Sequence, residues 1–163
     1  MPTPPKAPPF ETWKRIYDQL KARTAEGGLG VDLMSVDADG LVLEVEITDR
    51  VRQPYGLLHG GVSMLLAEGA ASMHASYGVD LSKVSPVGLE ISGSHLRSAR
   101  DGRIQARATV IRRGRSTIVH EVRIVHVETE GLLCLARVTN LYRPTRASGA
   151  LGAAVERERE EPG

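Results

Sequence analysis

Residues 59–75 of this chain read HGGVSMLLAEGAASMHA and indicate one long helix at the centre of the fold. The run contains no proline and no succession of β-branched residues, and it is long enough for about 4–5 helical turns. Two glycines, Gly60 and Gly61, open the run and allow another backbone or a ligand to approach closely. Because the run is apolar on nearly all sides, we predict a helix that the rest of the fold encloses.

The start of this helix and one carboxylate inside it indicate a functional site. The first turn of a helix leaves backbone N–H groups without intrahelical partners, and such groups bind carbonyl oxygens or anions. Glu68 is the one carboxylate in the run. Because a buried carboxylate is costly, it is normally paired, neutralised or used in chemistry.

The spacing between His59 and Glu68 shows how such a site must be assembled. The two residues are nine positions apart, which is roughly 13–14 Å along the helix axis and about half a turn in azimuth. They cannot meet within one helix, so a site that uses both combines two subunits with antiparallel helices. One chain would supply His59 and the Gly61 N–H. Its partner would supply Glu68 and Ser72, which lies four residues further on and shares the same helix face.

The composition indicates a single domain without disulfides. The chain has 163 residues, a net charge of +1 and 25% charged residues, which is typical of one domain with a sizeable core. This charge balance gives no reason to expect a nucleic acid partner. The single cysteine, Cys134, lies in an apolar strand pattern, and we interpret it as a buried thiol. No apolar run reaches the length of a membrane span and the N-terminus has no signal-peptide pattern, so we expect a cytoplasmic protein with no membrane partner.

Hydrophobic patterns divide the chain into an N-terminal extension, one domain and a tail. Residues 1–9 contain five prolines and are expected to be disordered. Over residues 10–26 apolar side chains recur at helical spacing, which predicts an amphipathic N-terminal helix ended by the two glycines that follow. We assign residues 10–143 to the domain. Residues 144–163 are expected to be a flexible tail, frayed or at most forming a short solvated helix, because of their Glu/Arg run.

Alternating apolar and polar residues predict a sheet around the central helix. The predicted strands are 31–36, 41–48, 87–97, 103–113, 116–127 and 132–142. A hairpin, a long apolar helix and a run of antiparallel strands indicate an α+β fold, in which a curled antiparallel sheet wraps around the helix. The N-terminal helix would pack on the outside. Open sheet edges are often covered by another subunit, in agreement with a site built from two chains.

Two blocks of the sequence resemble the hotdog-fold acyl-CoA thioesterases of the PaaI-like branch, over roughly residues 30–142. The first block reads QPYGLLHGG at 53–61, with an acid nine residues after its histidine and a hydroxyl four residues later. The second block reads VGLEISGSHLRSAR at 87–100. The resemblance implies a single hotdog domain that hydrolyses the thioester of an acyl-CoA. A glutamate at the acid position is similar to the aryl-CoA subgroup, which includes the 1,4-dihydroxy-2-naphthoyl-CoA thioesterases.

The resemblance also implies a role for each matching residue. Glu68 would be the catalytic nucleophile or the general base that activates water. The Gly61 N–H would polarise the thioester carbonyl from the start of the helix. His59 and Gln53 would orient the thioester, and Ser72 would hold the attacking water or the substrate.

Given this resemblance, we expect the CoA part of the substrate to lie across the protein surface. Its phosphates are anionic, and arginines at strand ends and turns can bind them through charge-assisted hydrogen bonds. The expected CoA-binding residues are Arg97, Arg100, Arg112, Arg113, Arg115 and His95. No other cofactor is expected, and no metal site, because His74, His120 and His126 have no carboxylate or cysteine at ligand spacing. Hotdog dimers commonly pair into tetramers, so we expect a homo-oligomer with active sites at the dimer interface.

Two function classes remain open at this point. The first is an acyl-CoA thioesterase for an aromatic or other apolar acyl group, whose identity the sequence leaves open. The second is a non-catalytic acyl-CoA binding or sensing module on the same fold. A transcriptional sensor would need a helix-turn-helix, whereas the N-terminal segment contains one predicted helix. A hotdog hydratase is disfavoured because the helix entrance lacks an Asp/His pair, and a serine hydrolase because Ser63 and Ser72 lack the Gly-x-Ser-x-Gly pattern.

Overall fold

The computed structural model describes residues 7–145 and 149–160, and within them six antiparallel strands curl around one long helix. The helices are α1 (Phe10–Lys21), α2 (Ala25–Leu29), α3 (Gly60–Ser76) and α4 (Ala150–Glu160), with a 3-10 turn at Asp49–Val51. The strands are β1 (Asp32–Val36), β2 (Gly40–Glu46), β3 (Val84–His95), β4 (Arg103–Arg113), β5 (Thr117–His126) and β6 (Leu132–Pro144). Their order across the sheet is β1-β2-β4-β5-β6-β3. The predicted α+β architecture and central helix are confirmed.

Helix α3 lies close to the sheet because its inner face is made of small and apolar residues. The fully buried residues of that face include Leu66, Ala67, Ala70 and Ala71. On the sheet side, every second residue is buried, as Ile104, Ala106 and Ala108 of β4 show. Cys134 of β6 belongs to the same core and is buried, as predicted.

The N-terminal helix is shorter than predicted and is followed by a second helix. α1 ends at Lys21 rather than at residue 26. Thr24 then begins α2, because its hydroxyl accepts a hydrogen bond from the Gly27 N–H at 3.1 Å. The two glycines read as a helix stop therefore lie inside α2, and Gly30, with a φ of +78°, ends it. α1 packs on the domain through Trp13 and its neighbours, as expected from the apolar spacing.

The end of the chain also differs from the expected flexible tail. Residues 150–160 form α4, which contacts α1. Ala154 and Val155 are buried in this contact, and Arg15 of α1 forms an ion pair with Glu158. Of the two expected alternatives, a helix forms, but it is packed rather than solvated, because apolar residues at helical spacing precede the charged run. The remainder of the tail and most of the expected N-terminal extension, at 1–6, 146–148 and 161–163, lie outside the described residues.

The two edges of the sheet are β1 and β3, and β3 is unusually open. From Gly88 to His95 every residue except Ile91 is exposed, and Leu89 is 60% exposed. Only β6 pairs with β3 among the strands of the described residues. β3 thus presents a free edge and an uncovered face beside α3. In the described part of the chain, no helix is long and apolar enough to cross a membrane.

Candidate active site

His59 caps the start of α3 and holds the backbone group next to it. Its Nδ1 atom accepts a hydrogen bond from the Gly61 N–H at 2.8 Å. The N–H group that we expected to polarise a carbonyl is therefore engaged by the side chain two residues before it. The imidazole of His95, at the end of β3, lies over the same turn: a Cβ atom on Gly60 would be 2.9 Å from its Nε2. A side chain at Gly60 would therefore push the His95 ring away from this turn.

Glu68 lies on the one face of α3 that the chain leaves open. It is exposed, so the predicted enclosure of the helix fails on this face within a single chain. Its carboxylate reaches over β3, where a Cβ atom on Gly88 would be 2.5 Å from Oε1. Among the described residues Glu68 has no hydrogen-bond or ion-pair partner. The carboxylate is consequently available to an external group.

Ser72 is oriented by a buried residue that the sequence reading missed. The Asn140 side chain donates from Nδ2 to Ser72 Oγ at 2.8 Å. Asn140 lies on β6 and is fully buried. Since Ser72 Oγ accepts this hydrogen bond, its own O–H remains free to donate to a third group. A polar residue at an inward position of an otherwise apolar strand was the available signal.

Four of the five expected catalytic residues line two different cavities of the chain, and His59 lines neither. Gly61, Glu68 and Ser72 line the first, here called the Glu68 cavity, which has a volume of about 530 Å³. Gln53 and His95 line the second, here called the His95 cavity, with a volume of about 390 Å³. Gln53 is held there by the loop before α3, where its Oε1 accepts from the Tyr55 N–H at 2.8 Å. One chain therefore does not bring Gln53 to Glu68.

The residues expected to bind CoA form two separate groups in one chain rather than one patch. Arg97 lines the His95 cavity, and Arg100 donates to the Tyr55 carbonyl at 3.4 Å. Arg112, Arg113 and Arg115 lie at the other end of β4, at its turn to β5. The length of β4 separates the groups by roughly 30–35 Å. Arg113 also donates to the Tyr142 hydroxyl at 2.8 Å.

Two buried histidines form a polar pair in the core. His74 Nδ1 lies 2.7 Å from His120 Nε2, and His74 Nε2 lies 3.0 Å from the Asp37 carbonyl oxygen. Because a carbonyl only accepts, Nε2 of His74 is the donor there, and His120 in turn donates to His74. Burial lowers the pKa of both rings, and for His120 burial together with the nearby His74 and Arg113 brings the pKa to about 3. Within the described residues no group of three or more potential ligands could hold a metal ion.

Comparison with known proteins gives consistent matches. The model of the Thioesterase superfamily matches residues 55–133. The chain is 43% identical over 118 residues to a 1,4-dihydroxy-2-naphthoyl-CoA hydrolase of Listeria monocytogenes, covering 72% of this chain and 94% of that protein. It is 35% identical over 133 residues to the Escherichia coli protein of the same name, covering 78% and 96%.

Solved structures agree with these sequence matches. A thioesterase from Haemophilus influenzae superposes with a TM-score of 0.78 at 32% identity, covering 89% of this chain and 97% of that one. A mutant thioesterase from Pseudomonas aeruginosa gives a TM-score of 0.77 at 34% identity, covering 85% and 96%.

Proposed function

Because this chain belongs to the thioesterase superfamily, with the hotdog fold, we propose that it hydrolyses the thioester of an aryl-CoA with Glu68 as the reactive carboxylate. Thioester hydrolysis is the activity of the family. The aryl acyl group and the roles of individual residues are the proposal. Relatives named as hydrolases of 1,4-dihydroxy-2-naphthoyl-CoA favour an aromatic acyl group.

The observation that carries this proposal is the pairing of Glu68 and Ser72 on one open face of α3. Both line the Glu68 cavity, and the carboxylate has no partner among the described residues. An unpaired carboxylate beside a hydroxyl with a free O–H can bind a water molecule or a carbonyl substrate between them. A carboxylate kept for structural reasons would instead be paired with a cation or with backbone N–H groups.

Two routes through Glu68 satisfy the chemistry. As general base, Glu68 takes a proton from water while the water oxygen bonds to the thioester carbon; the C–S bond then breaks and CoA leaves as the thiol after receiving a proton. As nucleophile, the carboxylate oxygen bonds to that carbon and expels CoA, and water then cleaves the resulting anhydride. In both routes the Ser72 O–H donates a hydrogen bond to the oxygen it contacts, that of water or of the substrate carbonyl, and so orients it. No cofactor takes part, since CoA is part of the substrate.

The carbonyl-binding half of the site would come from a second copy of the chain. Gln53 and Glu68 line different cavities, while α3 and β3 leave an uncovered face beside Glu68. Two chains packed antiparallel through this face would bring His59 and Gln53 of one to Glu68 of the other. The thioester oxygen would then take the Gly61 N–H, and the His59 ring would turn to release it. Dimers of this kind would pair further into a tetramer.

The same assembly would also bring CoA-binding residues of one chain close to the Glu68 cavity of the other. The arginines near the start of α3, Arg97 and Arg100, lie at the end of the chain that meets the partner's Glu68 cavity in this arrangement. The group at the β4–β5 turn, Arg112, Arg113 and Arg115, lies at the opposite end of the sheet. We propose that phosphate contacts come from Arg97, Arg100 and His95 of one chain. The second group would contribute only if it belongs to the neighbouring subunit.

Thiol release from a panel of acyl-CoAs tests the proposal, with Glu68→Ala and Glu68→Gln beside the wild type. We expect aryl-CoA turnover to fall by about 10²–10⁴-fold in both variants. Glu11→Gln is the matched control, because Glu11 is an exposed carboxylate on α1 that lies outside the Glu68 cavity, and it should retain full activity. Turnover that survives both Glu68 substitutions would refute the role of this residue. Tight binding of CoA esters without any turnover would identify a non-catalytic module instead.

A further inference from the structure

A third cavity lies behind the candidate site, between the helices from both ends of the chain. Its volume is about 280 Å³, and it is lined by residues of α1, α2, α3 and α4 and by one residue of β3. We call it the α1–α4 cavity. Its apolar walls include Trp13, Ile16, Leu20, Met73, Pro86 and Leu151. A small concave space lined mainly by apolar and aromatic side chains is the usual form of a ligand pocket.

This cavity shares part of its lining with the Glu68 cavity. Glu26, Gly69 and Ser72 line both the α1–α4 cavity and the Glu68 cavity. Gly69 directly follows Glu68 in α3, so the shared wall lies immediately beside the carboxylate. A group attached to a carbon atom that Glu68 attacks would therefore be next to the entrance of the α1–α4 cavity.

The Glu26 carboxylate marks the shared wall. It reaches over α3, where a Cβ atom on Gly69 would be 2.7 Å from Glu26 Oε1. Its side chain has no hydrogen-bond or ion-pair partner within the described residues 7–145 and 149–160. A partly buried carboxylate in this position can accept a hydrogen bond from a ligand hydroxyl. It repels a ligand that carries a second carboxylate.

We infer that the acyl group of the substrate enters the α1–α4 cavity and that Glu26 accepts a hydrogen bond from a hydroxyl group on it. This assignment rests on the proposed thioesterase function and specifies its substrate class. An apolar cavity of roughly 150 Å³ holds one benzene ring, so about 280 Å³ accommodates a hydroxylated ring or a fused pair of rings. Acyl groups that end in a carboxylate are disfavoured, since Glu26 would repel them and Lys21, the cation in the lining, is already paired with Asp32 at 2.6 Å.

The test of Glu26 compares kcat/KM for benzoyl-CoA with that for the three monohydroxybenzoyl-CoA isomers. We expect the wild type to prefer at least one isomer, and Glu26→Leu to lower kcat/KM for that isomer by about tenfold or more. The loss for benzoyl-CoA, which offers no hydroxyl, should be smaller, so that the preference for the hydroxylated isomer over benzoyl-CoA falls. Glu26→Gln, which keeps an acceptor oxygen without the charge, should fall between. Glu11→Gln serves again as the exposed control.

A second variant tests the cavity itself. Leu20→Trp places a larger side chain in its wall, and we expect kcat/KM for benzoyl-CoA to fall about tenfold while that for acetyl-CoA stays within about twofold. Equal losses on both substrates would overturn the assignment, as would an unchanged hydroxyl preference in Glu26→Leu. If Leu20→Trp does not fold, the Glu26 comparison alone decides. Wild-type protein that hydrolyses no thioester would refute the proposed function and this inference together, whereas turnover with unchanged selectivity would refute the inference alone.

Discussion

Replacing Asn140 by leucine should slow turnover while leaving the fold intact. Asn140 is fully buried, and its Nδ2 group fixes Ser72 Oγ at 2.8 Å. A neutral hydrogen bond of this kind contributes about 0.5–1.5 kcal/mol net, which corresponds to about 2- to 13-fold in rate. We therefore expect kcat to fall by about that factor with KM nearly unchanged, because Asn140 orients a group without touching substrate.

The stability of the same variant should change little. Asn140 Oδ1 is buried without a hydrogen-bond partner among the described residues, and such an acceptor costs about 1–3 kcal/mol. Leucine has the same branched shape and removes both the hydrogen bond to Ser72 and the unsatisfied acceptor. The two contributions oppose each other, so the free energy of unfolding in urea should stay within about 1–2 kcal/mol of the wild type.

A double-mutant cycle and a second substitution test whether Asn140 acts through Ser72. In a Ser72→Ala background, Asn140→Leu should have no further effect on kcat, since the hydroxyl that Asn140 orients is absent. Asn140→Asp should be worse than Asn140→Leu, because a carboxylate only accepts and would take the Ser72 O–H away from the reaction. Effects of Ser72→Ala and Asn140→Leu that simply multiply would show that Asn140 does not act through Ser72.

Two further predictions concern the assembly and the core. Mixing inactive His59→Ala and Glu68→Ala subunits under exchange conditions should restore about a quarter of wild-type activity, because half of the dimers are mixed and each has one intact site; no recovery would place both residues in one chain's site. The buried His120, with a pKa lowered to about 3, stays neutral in the folded protein while the unfolded chain binds a proton near pH 6.5. The free energy of unfolding should therefore be full above about pH 6.5 and fall as the pH drops toward 3. His120→Phe should flatten that fall in urea titrations at pH 7, 6 and 5, and an unchanged slope would assign the acid sensitivity to other groups.

The sequence predicted the parts of the fold that depend on local periodicity. The apolar run at 59–75 gave α3 almost to the residue, and alternation along residues 103–113 gave β4 with its observed bounds. The predicted end of α1 was wrong. A glycine pair usually ends a helix, but here the hydrogen bond from the Gly27 N–H to the Thr24 hydroxyl begins a second helix that contains both glycines. A helix in the tail was expected only as a short solvated one, and the packing of α4 was missed because it depends on the surface that α1 provides.

The candidate site was predictable only where its residues lie on one element. Glu68 and Ser72 are four residues apart on α3, so their shared face follows from helix geometry. Asn140 reaches Ser72 from 68 positions away, and that meeting depends on the register of β6 in the sheet. The expectation of one CoA-binding set was wrong for a related reason. Arg100 and Arg112 are close in sequence, but the extended strand β4 between them places them at opposite ends of the sheet.

The contact between α1 and α4 has a consequence for the acyl pocket, because both helices line the α1–α4 cavity. The sheet and α3 hold Glu68 and Ser72 without help from either terminal helix, whereas the α1–α4 cavity exists only where these helices meet. In the proposed site, reactivity and selectivity would therefore come from separable parts of one domain. A chain that lost residues 150–160 would keep Glu68 and lose Leu151 from the lining of the cavity, and we expect it to be a less discriminating hydrolase rather than an inactive one. Changes at the termini, where chains tolerate alteration best, thus offer a way to retune the acyl preference of this scaffold without touching its chemistry.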